Sequence, residues 1–214
     1  METNTRFIVF EGIDGAGKTT QINLLCERLE KLGIHCKTTA EPTDMPSGRE
    51  IRRALSGELK KTPIEMAEMF AHDRALHNTH SESGITKMQN DGFTVISDRY
   101  YYSSLAYQGA ALGYETVARL NLENPNIRMP DLCVFLDLSP EKSLERIGER
   151  GEAKEIYENF DYLTRTRAMF FNVFDRLKER GEHITVIDAS GSVAEVSDKV
   201  FDAVIAIYDP QRGD

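Results

Sequence analysis

Gly12, Gly17, Lys18 and Thr19 stand in the spacing Gly-x-x-x-x-Gly-Lys-Thr, a pattern suited to holding phosphate. Glycines let a backbone wrap an oxyanion with successive N–H groups pointing inward, and a helix opening at the loop adds its positive end. Lys18 would set a cation on the β- and γ-phosphates, and Thr19 would offer its hydroxyl to Mg²⁺. A second concentration of polar groups runs through Asp98, Arg99, Tyr100, Tyr101, Tyr102, Ser103, Ser104, Tyr107 and Gln108, directly after an apolar run at 93–97. It sets a carboxylate and a guanidinium at the same sheet edge as the phosphate loop; a surface ion pair is the plainer reading. Phe70 and Arg74 lie four residues apart, so on a helix they project from one face. They are either a core aromatic with a surface arginine or a pair that sandwiches and hydrogen-bonds a base.

These residues need a scaffold, and the chain supplies one. A short β-branched and aromatic run at 7–10 leads into the loop, and Ile22, Leu25, Leu29 and Leu32 follow at helical spacing before Gly33. A second strand at 36–40 completes a βαβ unit, which implies parallel strands and a right-handed crossover. The loop at 41–48 then falls at a strand's carboxyl end, where ligands bind in open α/β sheets. A helix carrying Arg49, Arg52 and Arg53 follows, with Arg53 read as solvated surface. One long helix is expected over 64–89, strands over 93–97, 132–138 and 183–187, and helices over 140–149 and 160–179. Ser192 and Glu195 form a capping box that opens a last helix to about 208. Arg146, Arg150 and Lys154 punctuate a stretch broken by Gly148 and Gly151, which reads as a mobile basic flap over about 146–158. The segments 1–5 and 209–214 read as loose ends.

Bulk properties set limits. A chain of 214 residues suits a single α/β domain over 1–214, with a parallel sheet covered on both faces. The net charge of -9, from 26 basic and 35 acidic residues, argues against gripping nucleic acid or a membrane surface by bulk charge. Cys26, Cys36 and Cys133 show no metal spacing and are expected as reduced thiols. The five histidines form no ligand-like cluster. No signal peptide is read at the start, and the longest apolar run, 132–136, is too short to span a bilayer. The expectation is a soluble cytoplasmic protein.

Four motifs in order complete the picture: Phe-Glu-Gly-x-Asp-Gly-x-Gly-Lys-Thr-Thr, Glu41-Pro42, Phe70-Ala71-x-x-Arg74, and Asp98-Arg99-Tyr100 with Ser103, Ser104, Ala106, Tyr107 and Gln108. From residue 7 to the last helix the chain resembles the thymidylate kinases, P-loop enzymes that phosphorylate dTMP with ATP. The resemblance implies a three-layer P-loop fold with five parallel strands in the order 2-3-1-4-5, helices on both faces and a lid. It also implies ATP and Mg²⁺ as cofactors, dTMP as the small-molecule substrate, and a homodimer.

The resemblance further implies roles. Gly12, Ile13, Asp14, Gly15, Ala16, Gly17, Lys18, Thr19 and Thr20 would cradle ATP, with Arg146 facing the ATP side. Asp14 would approach the substrate sugar or the transferring phosphate, and Glu41 would order the metal and acceptor loop. Arg52 would hold the 5′-phosphate of dTMP. Phe70 would stack on thymine, Arg74 would donate to a thymine carbonyl, and Ser103, Ser104 and Gln108 would complete the substrate contacts. Thr19 and Asp98 would serve Mg²⁺, Arg99 would bridge the two phosphate groups, and Tyr107 would occupy the place of a 2′-hydroxyl. Gly15 cannot supply the arginine that some members carry in the loop. Arg150, within Arg150-Gly151-Glu152, would instead act from the lid, Lys154 lacking the planar fork. Ala40 stands where the family often has an arginine, so that a neighbouring cation substitutes or the arginine is dispensable. Two readings compete: a kinase of another acceptor, against which the Phe70/Arg74 and Tyr107/Gln108 pairs argue, and a nucleotide-gated switch. The switch would need an Asn-Lys-x-Asp, which is absent.

Overall fold

The computed structural model describes residues 5–148 and 160–208. Five parallel strands, β1 (Phe7–Glu11), β2 (Cys36–Ala40), β3 (Thr94–Asp98), β4 (Leu132–Asp137) and β5 (Ile184–Asp188), form one sheet in the order β2-β3-β1-β4-β5. Every pairing is parallel, so all the carboxyl ends lie along one edge. The central strands are apolar on both faces, as a sheet covered by helices requires. Phe7, Val9, Val95, Cys133 and Phe135 face one core layer, and Ile8, Phe10, Ile96, Val134 and Leu136 face the other.

The second layer rests on α1 (Lys18–Lys31) and α9 (Val193–Ala206), which pack against each other. The first layer includes α4 (Ile85–Asn90), α5 (Tyr101–Leu112), α6 (Tyr114–Leu122) and α8 (Phe160–Glu179). Elsewhere α2 (Pro46–Leu55) packs on α3 (Pro63–Thr79), and α7 (Pro140–Gly148) packs on α8. No helix among the described residues is long and apolar enough to cross a membrane.

The single helix expected over 64–89 is two helices, α3 and α4. The chain leaves helical geometry at His80 and turns through Gly84, where a Cβ would lie 2.5 Å from the His80 carbonyl oxygen. Ser81-Glu82-Ser83-Gly84 carried that turn signal, and the apolar spacing on either side obscured it. Between 98 and 131 the sequence reading places no helix, yet α5 and α6 occupy most of that stretch. The aromatic and small residues of α5 carry little helical period, whereas α6 buries Val117, Ala118 and Asn121 at helical spacing. β2 spans 36–40 as expected and the other strands differ by a residue at one end or both; the expected capping box at Ser192/Glu195 is formed, and a second one stands at Thr62/Glu65.

Candidate active site

At the carboxyl edge of the sheet, three strand ends open onto a cavity of about 630 Å³ lined by Lys18, Thr19, Glu41, Arg52, Asp98 and Arg99. β1 leads into the glycine loop, whose tight backbone is required at two points. Gly12 has φ 149°, and a Cβ there would sit 2.8 Å from the Leu136 carbonyl oxygen. Gly15 has φ 79° and would meet the Ser143 carbonyl oxygen of α7 at the same distance. An arginine at Gly15 would therefore need a left-handed backbone and a displaced α7. Ser143 in turn donates its hydroxyl to the Asp14 carbonyl oxygen, tying α7 to the loop.

Lys18 opens α1, is buried, and donates Nζ to the Gly12 carbonyl oxygen at 3.1 Å. Burial, with the nearby Arg99 cation, pulls its pKa below the usual lysine value, against the attraction of Asp98, Asp14 and Glu11. Thr19 and Asp98 line both this cavity and an adjoining one of about 440 Å³. Arg99 follows β3 with φ 72°, a backbone state few non-glycine residues adopt and one that gathers at functional sites. Its N–H donates to the Phe10 carbonyl oxygen at 2.9 Å. Its guanidinium reaches Asp14 at 2.5 Å through Nη2 and the Ser103 hydroxyl at 3.1 Å through Nη1. The Tyr107 ring lies 5.7 Å from that guanidinium, and burial pushes the Tyr107 phenol up to about 12 against the Arg99 charge.

The side of the site formed by β2, α2 and α3 is built on buried charge. Glu41, at the end of β2, accepts from Arg74 Nε at 2.7 Å and pairs with His77 Nδ1 at 2.9 Å. Arg74 also donates to the Asn121 side-chain oxygen and to the Ser104 hydroxyl, and it is 1% exposed. The chain thus places Arg74 inside the protein with Ser104 beside it. Phe70 is half-buried one turn earlier on α3, and Tyr107 and Gln108 are half-buried on α5. None of Phe70, Arg74, Ser104, Tyr107 or Gln108 lines the main cavity. The loop after Glu41 is held by Asp73, whose carboxylate accepts from Thr43 N–H at 2.8 Å and from the Thr43 and Ser47 hydroxyls at 2.6 Å each. Arg52 leans over the same loop, donating to the carbonyl oxygens of Thr43 and Pro42 at 2.7 and 2.6 Å. Arg52 is also the cation on the wall of the adjoining cavity beside Ala40.

On the far side of the glycine loop, Arg146 donates to the Ala189 carbonyl oxygen at 3.0 Å. It lines a recess of about 120 Å³ with Gly17, Thr20, Gln21 and Gly191. Arg150 and Lys154 lie outside the described residues. Four residues join the site that the sequence reading gave no role: Glu11, Asp73, His77 and Asn121. Glu11 stands inside the first motif, and Asp73 and His77 stand on the same helix as Arg74, so a signal existed for three. Nothing in the sequence marked Asn121.

A family profile described as "Thymidylate kinase" matches residues 10–200. A thymidylate kinase of Leptospira interrogans is 39% identical over 171 residues, covering 79% of this chain and 82% of the relative. A probable thymidylate kinase of Archaeoglobus fulgidus is 35% identical over 193 residues, 90% of this chain and 91% of the relative. One of Pyrococcus abyssi is 36% identical over 203 residues, 91% and 93% respectively.

Proposed function

The chain belongs to the thymidylate kinase family, and from that premise we propose that it transfers the γ-phosphoryl group of ATP to dTMP, giving dTDP and ADP. The observation that carries the reading is that Lys18 of α1, Arg52 of α2, and Asp98 and Arg99 at the end of β3 converge on one cavity although they come from three separate parts of the chain. Phosphoryl transfer needs in-line placement and positive charge more than covalent help. Lys18 would neutralise the donor phosphates, Arg52 would hold the acceptor phosphate, and Arg99 would bridge the two as charge moves. Arg99 would exchange its Asp14 contact for phosphate oxygens. The Arg146 recess would take the adenine end of ATP.

On the acceptor side Phe70 would cover one face of thymine. Arg74 has three of its five N–H groups engaged by protein and would offer another to a thymine carbonyl. Ser104 and Gln108 would flank the base, and Tyr107 would fill the space a 2′-hydroxyl requires. A lid carrying Arg150 as a cation over the moving phosphate belongs to the same reading, as does a homodimer; the family resemblance supports both.

Mg²⁺ fits the donor set. No cluster of three or more His, Cys, Asp or Glu that could hold a metal occurs among the described residues. Thr19 and Asp98 do face the same two cavities. That suits an ion that keeps several waters and takes its remaining ligands from substrate phosphates. Thr19 and Asp98 would hold it, and it would supply charge neutralisation on the phosphates.

The test is a coupled assay of ADP release with ATP, Mg²⁺ and a panel of dTMP, dUMP, AMP, CMP and GMP. The expected outcome is the highest kcat/KM on dTMP. Faster turnover of AMP or CMP would overturn the assignment.

A further inference from the structure

α5 starts without a side-chain cap of its own: Tyr100 is the N-cap, and it accepts nothing from the first turn. Helix starts leave backbone N–H groups without partners, and here a remote carboxylate takes them. Glu11 Oε1, on β1, accepts from Tyr100 N–H at 2.9 Å and from Ser103 N–H at 3.1 Å. The Ser103 N–H is the group a capping serine or aspartate ordinarily serves, and a negative charge belongs at this end of a helix. Glu11 Oε2 accepts the Ser103 hydroxyl at 2.7 Å, and that hydroxyl oxygen accepts from Arg99 Nη1 at 3.1 Å.

We propose that Glu11 is a positioning residue for phosphoryl transfer, acting through Ser103 to fix the inner edge of the Arg99 guanidinium while its outer edge meets phosphate. The proposal rests on the kinase reading above. Arg99 has two ends in different surroundings. Nη2 bonds Asp14, whose side chain is 67% exposed, at the mouth of the cavity. Nη1 faces inward to Ser103 and, behind it, a fully buried carboxylate. The outer partner can be exchanged for a ligand; the inner one is locked to the start of α5. Arg99 holds an unfavourable backbone angle, and such a residue keeps its place only when its neighbours over-determine it. Its own N–H is held by the Phe10 carbonyl, next to Glu11, and the following N–H is held by Glu11 itself. Burial raises the Glu11 pKa, and the Arg99 charge leads the contributions that oppose it. The fully buried Glu11 carboxylate and the half-buried Arg99 guanidinium thus face each other with Ser103 between them.

The experiment is a mutant cycle on the whole protein: Glu11→Gln and Ser103→Ala, each alone and in an Arg99→Ala background. The cycle is read on whichever monophosphate the wild type turns over. Ser103→Ala cuts the relay yet leaves both backbone N–H caps on Glu11, so it should stay folded, with a lowered thermal midpoint, even if Glu11→Gln folds poorly. With Arg99 present, each substitution should lower kcat at least tenfold while KM for either nucleotide moves less than threefold. Without Arg99, neither should lower the residual kcat more than about twofold further, because coupled residues do not contribute independently. An unchanged kcat, or the same loss with and without Arg99, would show that Glu11 only caps a helix and would overturn the proposal. A wild type inactive on dTMP but active on another monophosphate would sink the substrate assignment and leave the relay to be decided by the same cycle.

Discussion

Arg74 cannot be removed without stranding Glu41, whose two oxygens are spent on Arg74 and His77 in the interior. Breaking one side of a buried pair costs about 3–5 kcal/mol, and in a chain of this size that lowers Tm by roughly 10 °C. Arg74→Ala is therefore expected to lose stability and acceptor affinity together, with KM for ATP little changed. Thermal denaturation beside separate KM measurements checks this. A variant within 2 °C of wild type would mean that the Glu41 charge finds another partner. Sequence placed Arg74 on a helix face with Phe70 but left open whether it lay on the surface. The choice depended on Glu41, 33 residues earlier, and Asn121, 47 later, and no helical period reaches that far.

At the scale of elements, Asp73 joins α3 to the loop that precedes α2 and to the first turn of α2, through two hydrogen bonds from Thr43 and one from Ser47. Bonds to a charged group are the stronger kind. Asp73→Ala should cost about 3 kcal/mol. Loosening the platform under Arg52 should raise KM for dTMP about tenfold, with KM for ATP within twofold. Equal changes in both constants would place the loop outside acceptor binding. A second tie runs from α5 to the segment before β5. The hydroxyls of Tyr101 and Tyr102 donate to Glu182 at 2.8 and 2.6 Å. Burial raises the Glu182 pKa above its ordinary 4.5, with Tyr102, Tyr101 and Arg180 opposing. From about pH 4.5 up to that raised value the folded chain keeps a proton the unfolded chain has released, so stability falls as pH rises through the window. Relative to Glu182→Gln, the wild-type Tm should decline between pH 4 and pH 7. A difference that stays constant with pH would show that folding leaves the Glu182 pKa unshifted.

For the whole molecule, ATP and dTMP as substrates imply stabilisation by mass action. A non-hydrolysable ATP analogue with Mg²⁺, and dTMP, each at about 100 times its Kd, should each add about 2.7 kcal/mol, or roughly 5–10 °C in Tm. Calorimetry should show one cooperative transition that moves up intact, as a single domain requires. Two separated transitions would divide the chain. The continuous apolar run of β1, the Gly12–Thr19 spacing and the Ser192/Glu195 capping box are local patterns, and patterns of this kind sufficed to determine strands, loop and most helices, and with the resemblance the strand order. The break at His80–Gly84 and helix α5 escaped because their signals were weak beside stronger neighbours, whereas α6 carries a legible helical spacing at Val117, Ala118 and Asn121. The joining of Glu11 to Tyr100 and Ser103, of Asp73 to Thr43, and of Glu41 to Arg74 and His77 was decided only by tertiary structure. Each bond spans about 30 to 92 residues, so it exists only once β1 and β3 have taken their register and α3 has packed at its particular angle. Periodicity records which face of an element is apolar. Which polar group will stand opposite depends on distances between elements, and those are set by the packed core.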